Sequence, residues 1–248
     1  MRQEYNITHL YFLDANRICL LRLHKPEKFG DQIDRFTTIE AEQSGKTTSG
    51  LELGPLGTFT LRVVQPVYKD DNLVGYVELG KDIEGNLQFL HNNHPNVQLA
   101  LMIGKEYLEQ SQWEDGMRML GRTPDWDHFS NHVLIYNSQA WLPVAIEQYI
   151  DQTNDAEAYA GGNQEISNEG KEWRISTIPL QDATGKEVGF LLLMIDITAY
   201  KQAFNKLLLI GFSAAGVLLA LLVSMIFILL TRADKVIFSQ QEKLLRSE

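Results

Sequence analysis

Three arginines, a histidine, a tyrosine and a glutamate in the first third of the chain have types and spacings suited to holding a small anion or zwitterion. Side chains alternate across a strand, so Arg22 and His24 share a face, Arg62 shares one with Thr60 and Val64, and Glu78 shares one with Tyr76. Arg35 falls one helical turn past Asp31 in a segment, Asp31 to Gln43, that reads as a helix capped by Asp31. If that helix covers one face of a sheet, Arg22, His24, Arg35 and Arg62 converge. Guanidinium forks suit a carboxylate, Tyr76 adds a wall and a hydroxyl, and Glu78 receives an amino group. An organic acid or an amino acid is the ligand class these residues point to. The same residues also admit a structural reading. Arg22, Arg35 and Arg62 then pair with Asp31, Asp34, Glu52 and Glu78, because buried charges are costly without partners.

Other chemistry finds less support. Gly45-Lys46-Thr47 resembles the end of a phosphate-binding loop, but its first glycine would fall at Glu40 and no apolar strand precedes it. His91 and His94 lie in what reads as a polar linker ending at Pro95. His128 and His132 have the four-residue spacing of a helical zinc pair but sit among polar residues that need no metal. No nucleophile, base and orienting group come together by spacing. The expectation is a chain without catalytic residues, metal or cofactor. The net charge of −10 argues against nucleic acid as a partner. The single Cys19 excludes an internal disulfide, which fits a self-sufficient core in a bacterial periplasm.

The elements that must position these residues come in duplicate. Gly75-Tyr-Val-Glu-Leu-Gly-Lys-Asp-Ile83 and Gly189-Phe-Leu-Leu-Leu-Met-Ile-Asp-Ile197 match in glycine, aromatic, leucine, aspartate and isoleucine. Each follows a strand holding an arginine and a proline, Arg62 and Pro66 in one, Arg174 and Pro179 in the other. Turn residues separate the strands, so each half closes in a β-hairpin. In the first half, His9 to Leu13 and Arg17 to His24 read as strands, then come the helix and strands over 51–68 and 73–79. The second half opens on the strand Val97 to Ile103 and closes on strands over 172–180 and 187–197, with a helical and loop region between. The expected class is α+β, two small antiparallel-sheet modules over residues 1–90 and 91–200.

An uncharged run, Leu207–Leu230, follows. As a helix it is about 36 Å long at ~1.5 Å per residue, enough for a hydrocarbon core of ~30 Å. Arg232, Lys235, Lys243 and Arg246 behind it place the tail, 231–248, in the cytoplasm and residues 1–206 outside. Export of so large a domain calls for a first membrane helix upstream of Met1. Gly216, Ala220 and Ser224 recur at four-residue spacing, a pattern that lets two helices approach in a homodimer.

Two tandem PAS-like modules running directly into a membrane helix resemble the double Cache sensor domains of bacterial receptors, and most closely those of two-component histidine kinases. The residues carrying the likeness are Arg22-Leu-His24-Lys-Pro26-Glu-Lys-Phe-Gly30-Asp31-Gln-Ile-Asp34-Arg35, Gly50-Leu-Glu-Leu-Gly54, Thr60-Leu-Arg62 and Gly75-Tyr-Val-Glu78-Leu-Gly80. The resemblance implies an inner-membrane receptor. Its membrane-distal module takes up a small molecule, and its proximal module relays the change through the membrane to a kinase, a diguanylate cyclase or a chemotaxis module. The rival outside this class is a membrane-anchored domain that binds a protein partner, with a filled first module and its arginines paired off.

Overall fold

The structure is a computed structural model that describes residues 7–54, 56–152 and 163–245, with side chains to Ile237. Residues 1–196 form one compact unit and residues 197–248 a second. Strands β1 (His9–Asp14), β2 (Cys19–Arg22), β3 (Thr48–Leu53), β4 (Phe59–Lys69) and β5 (Asn72–Asp82) make a first antiparallel sheet in the order β2-β1-β5-β4-β3. Helix α1 (Phe36–Ser44) packs on β3 and β4. Helix α2 (Glu84–Asn93) leads to β6 (Val97–Gly104), a 3-10 turn (Lys105–Tyr107), α3 (Gln110–Met119), β7 (His132–Asn137), α4 (Val144–Gln152), β8 (Asn163–Asn168), β9 (Lys171–Gln181) and β10 (Glu187–Asp196). The second sheet has the order β7-β6-β10-β9-β8, the same path traced again. The α+β class and the paired sheets are as the sequence predicts.

Strand register aligns the halves residue by residue. Gly75 faces Asp14, and Gly189 faces Ile103. Pro66 faces Tyr76, and Pro179 faces Phe190. Glu78 faces Tyr11, and Leu192 faces Ala100. Arg62 faces Gly80, whereas its counterpart facing Met194 is Ile175, not Arg174. The arginine lies four residues before the proline in one half and five in the other. A one-residue change reverses the face of a strand side chain. Arg174 therefore points away and pairs with Glu165 at 2.8 Å.

Four further expectations change. The helix begins at Phe36, not Asp31, because Asp31 is drawn to the Arg22 guanidinium and its carbonyl accepts from Cys19 N–H. The stretch 91–94 is mostly helical, closing α2, with His91 Nδ1 2.8 Å from Val97 O. His128 lies in a loop and His132 opens β7, so they do not form a helical pair. Strands β7 and β8 lie within or just beyond the long region where the sequence signalled only helix and loop.

The modules share a core. Phe59 and Leu87 of the first join Leu99, Leu101, Ile103, Trp113, Met117, Val133, Ile135, Leu180 and Val188 of the second. Gly57, at φ +81, lets Trp113 close in: a Cβ there would stand 2.4 Å from the indole Cδ1. On its other face the second sheet packs Ala100, Met102, Phe190, Leu192 and Met194 against Phe129, Leu142, Ile146 and Ile150.

Helix α5 (Thr198–Leu245) belongs to the second unit. Within Thr198–Ile237 an 18-residue window reaches a mean hydropathy of 2.7, and the helix is long and apolar enough to cross a membrane. Ser213 Oγ donates to Leu209 O at 2.7 Å and Thr231 Oγ1 to Ile228 O at 2.9 Å, so the helix satisfies these hydroxyls itself. Ile237 and Leu244, and likewise Phe238 and Leu245, are seven residues apart, a spacing that predicts a coiled coil if the helix continues, and the side chains after Ile237 lie outside the described residues.

Candidate functional site

Glu78 is the hub. Its strand, β5, lies at the centre of the first sheet, so a side chain pointing toward α1 has no route to water, and Glu78 is fully buried. A carboxylate there requires donors. Arg62 Nη1 from β4 and Arg35 Nη1 from the lead into α1 each donate to Oε1 at 2.6 Å, and Thr38 Oγ1 donates to Oε2 at 3.4 Å. Gly80 leaves room for this, since a Cβ there would lie 3.4 Å from Arg62 Nη1 and 3.0 Å from His9 Cβ.

Glu52 of β3 completes the arginine's surroundings. Its Oε1 accepts from Thr37 N at 2.8 Å and Thr37 Oγ1 at 3.0 Å, so a strand carboxylate caps the N-terminus of α1. Its Oε2 lies 3.1 Å from Arg62 Nε, close enough for an ion pair. The alignment is poor, and neither atom makes a hydrogen bond among the described residues. A buried donor and a buried acceptor thus lie side by side with unused capacity.

Tyr11 of β1 organises the other side. The Arg35 guanidinium sits 4.8 Å from its ring centroid and Arg22 5.2 Å, so two cations lie against one aromatic ring. Arg35 Nη2 also donates to the Tyr11 hydroxyl at 3.2 Å. Arg22 is held by Asp31, with Nη1 2.7 Å from Oδ1 and a second bond from Nη2 to Oδ2, and by Lys28 O at 2.6 Å. The Arg22 bond holds the Asp31 carboxyl below its usual range. His24 and His9 meet edge to face at 4.5 Å, and His24 also meets Tyr11 at 5.1 Å. Burial pulls the His9 imidazole down to about 4, against the pull of Asp82 and with help from Arg62, His24 and Arg35.

Five of the six residues singled out from the sequence, Arg22, His24, Arg35, Arg62 and Glu78, gather around Tyr11 and Glu78. Tyr76 packs in an apolar cluster with Tyr11, Leu13, Cys19, Ile33, Ala41 and Val64, where burial pushes its hydroxyl up. The three guanidiniums are not free, since Asp31, Glu52 and Glu78 balance them. Sequence reasoning gives Glu52 only as a neutralising partner and Asp31 as a neutralising partner or a helix cap, and it does not single out Tyr11 or His9. Their signal was available, because both fall on one face of β1.

An open cleft of about 380 Å³ lies over this network. Arg35, Glu52 and Arg62 line its first-module side, and Tyr107, Asp182, Thr184 and Lys186 line its second-module side. Lys186 Nζ sits 4.3 Å from the Tyr107 ring centroid. Among the described residues no group of three or more His, Cys, Asp or Glu is placed to hold a metal.

No curated protein matches the chain. Among solved structures it is similar to the sensor domain of the V. cholerae histidine kinase DctB, at 13% identity and TM-score 0.43, covering 79% of this chain and 74% of that one. It is similar to the ligand-binding domain of the Pseudomonas aeruginosa PAO1 amino acid chemoreceptor PctC in complex with GABA, at 13% identity and TM-score 0.35, covering 77% and 74%. An extracellular ligand binding receptor from Desulfohalobium retbaense matches at 12% identity and TM-score 0.40 over 79% of this chain, which spans only 31% of that protein. Residues 1–200 match the model of the double sensory domain of two-component sensor kinases, and the chain belongs to that family of sensory, non-catalytic domains.

Proposed function

We propose that this chain is the input region of a bacterial transmembrane receptor. Residues 1–206 lie in the periplasm, α5 crosses the inner membrane, and its end projects into the cytoplasm. The first module is membrane-distal and takes up the ligand. The second is membrane-proximal and relays its occupancy. One observation carries this reading. The same face of two duplicated sheets is built oppositely, with Tyr11, Arg62 and Glu78 in one half where Ala100, Ile175 and Leu192 stand in the other. A fold that needs only a core fills that face with apolar side chains, as the second module does. Burying four ionisable groups, Arg22, Glu52, Arg62 and Glu78, is a costly alternative for stability alone.

The ligand class follows from the charge balance. Three guanidiniums already face three carboxylates, so a lone anion would unbalance the site. A zwitterionic amino acid would not. Its carboxylate competes with Glu52 for the Arg62 fork, and its ammonium takes the freed acid. Arg22, His24, Tyr76 and Glu78 then act behind the contact residues Arg35, Arg62 and Glu52, which line the cleft. The signal is a shift between two arrangements of a homodimer, whose membrane helices meet along Gly216, Ala220 and Ser224. The output module is a histidine kinase, as the family description suggests, and ATP-dependent autophosphorylation of the whole receptor separates it from a cyclase or a chemoreceptor.

A specific observation favours the rival without a ligand: Arg22 and Arg62 are both paired. The open cleft opposes it. A thermal-shift screen of the full chain in detergent against amino acids and organic acids decides. An amino acid at about 100 times its Kd adds ~2.7 kcal/mol and raises Tm by a few degrees. Arg62→Ala is expected to abolish the shift. Absence of any shift across the screen sinks the reading and leaves the partner-binding domain.

A further inference from the structure

The turn between β9 and β10 belongs to the second module but ends on the first. Ala183 N–H donates to Leu51 O at 2.6 Å, on the outer edge of β3. The Ala183 methyl occupies the space left by Gly50, where an added Cβ would come within 2.5 Å of it. The turn itself is stiff. Asp182 Oδ1 accepts from Thr184 N at 2.9 Å, Thr184 Oγ1 at 2.6 Å and Lys186 N at 3.0 Å, and Gly185 supplies the left-handed residue at φ +81.

The neighbours of this contact give it a role. Leu51, which accepts the hydrogen bond, is followed directly by Glu52, the carboxylate that pairs with Arg62 and caps α1. Gly50, which takes the methyl, faces Arg62 across the β3–β4 register. On the other side the turn passes straight into β10, the central strand whose chain continues through Ile197 into α5. One edge strand thus touches both the ionised network and the only turn that enters the strand leading to the membrane helix.

We propose that the Asp182–Lys186 turn is a latch that reads the position of β3. It passes a rearrangement at Glu52 and Arg62 to β10 through the Ala183–Leu51 hydrogen bond and the Gly50–Ala183 contact. The proposal deepens the sensor reading by naming its route out of the site. Its geometry does not depend on which ligand is bound, and its test uses none.

Amide hydrogen exchange of the full chain in lipid nanodiscs provides that test. Glu52→Gln weakens the pairing with Arg62 while keeping the side chain's shape. It is expected to raise exchange over Gln181–Val188 roughly tenfold, although no residue of that segment touches Glu52 by a hydrogen bond or ion pair. Gly50→Ala wedges the contact apart and is expected to raise exchange in the same segment. Adding Ala183→Gly to that variant restores protection, which general destabilisation would not allow. Changes confined to residues 36–69, or a Gly50→Ala effect that Ala183→Gly fails to reverse, overturn the latch. A latch that behaves as expected beside a failed ligand screen overturns only the ligand reading, and the reverse pair of results overturns only the latch.

Discussion

Glu78 accepts from two guanidiniums out of reach of water, so removing its charge alone strands the buried Arg62. Glu78→Ala is expected to cost about 3–5 kcal/mol in urea unfolding. The pair Arg62→Ile and Glu78→Leu installs the residues that the second module carries at the matching positions, and it is expected to cost less than Glu78→Ala. Arg35, with 26% of its side chain exposed, can turn to solvent in that variant. If the double variant costs as much as the two single changes together, the network is not a coupled unit. His9 sets the acid response. Its ordinary value is 6.5 and its folded value about 4, so at neutral pH it is uncharged in both states. Between those values the unfolded chain takes a proton that the folded chain refuses, and stability falls as pH falls, by a few kcal/mol at most. Melting temperatures from pH 7.5 to pH 4.5 should drop, and His9→Gln should flatten that slope. Asp31, whose ordinary value is 3.8, begins to lose its stabilising charge only below that point. A slope unchanged in His9→Gln would assign the acid response to another group.

At the scale of elements, legibility followed periodicity. Strands β1, β5, β6, β9 and β10 alternate or run continuously apolar between turn residues, and their sequence signals place them well, whereas the stretch 51–68 divides into the end of β3 and most of β4. β7 and β8 were missed for different reasons. His132–Asn137 lies within a region dominated by tryptophans and polar loops. Asn163–Asn168 is an edge strand of almost wholly polar residues, recognisable only by its pairing with β9. Helix α1 shows how a distant residue moves a boundary. Asp31 is a good local cap, but the carboxylate that serves the helix comes from Glu52 on β3, and the helix starts where that carboxylate reaches. The arginine pair Arg62 and Arg174 shows the opposite hazard. The two strings suggest equivalence, and a single residue of spacing puts the two guanidiniums on opposite faces.

At the scale of the whole molecule, the two modules are joined by a shared core and not only by a linker. Trp113 sits at its centre, 2% exposed, filling the space that Gly57 leaves open. Trp113→Ala is expected to cost about 3–5 kcal/mol. Because the lost contacts bridge the modules, calorimetry should show the single transition of residues 1–196 broadening or splitting in two. A cleanly two-state melt, lowered but sharp, would locate that tryptophan's role within the second module alone. Glu84 and Arg122 add a second tie across the same junction, through Arg122 Nη1 to Glu84 Oε1 at 3.1 Å and on to Ile135 O at 2.7 Å.

The amino-acid sequence by itself determined the duplication, the α+β class, the apolar helix and a short set of ionisable residues worth following. Those features are written in local periodicity and in repeated strings, and need no partner across the fold to be seen. Tertiary structure alone decided which of those residues meet. It turned Tyr76 into the core, brought Tyr11 and Glu52 to the arginines, and laid the turn of one module on the edge strand of the other. Such contacts depend on strand register and on distances between segments far apart in the chain, and neither quantity is encoded by the neighbours of any single residue.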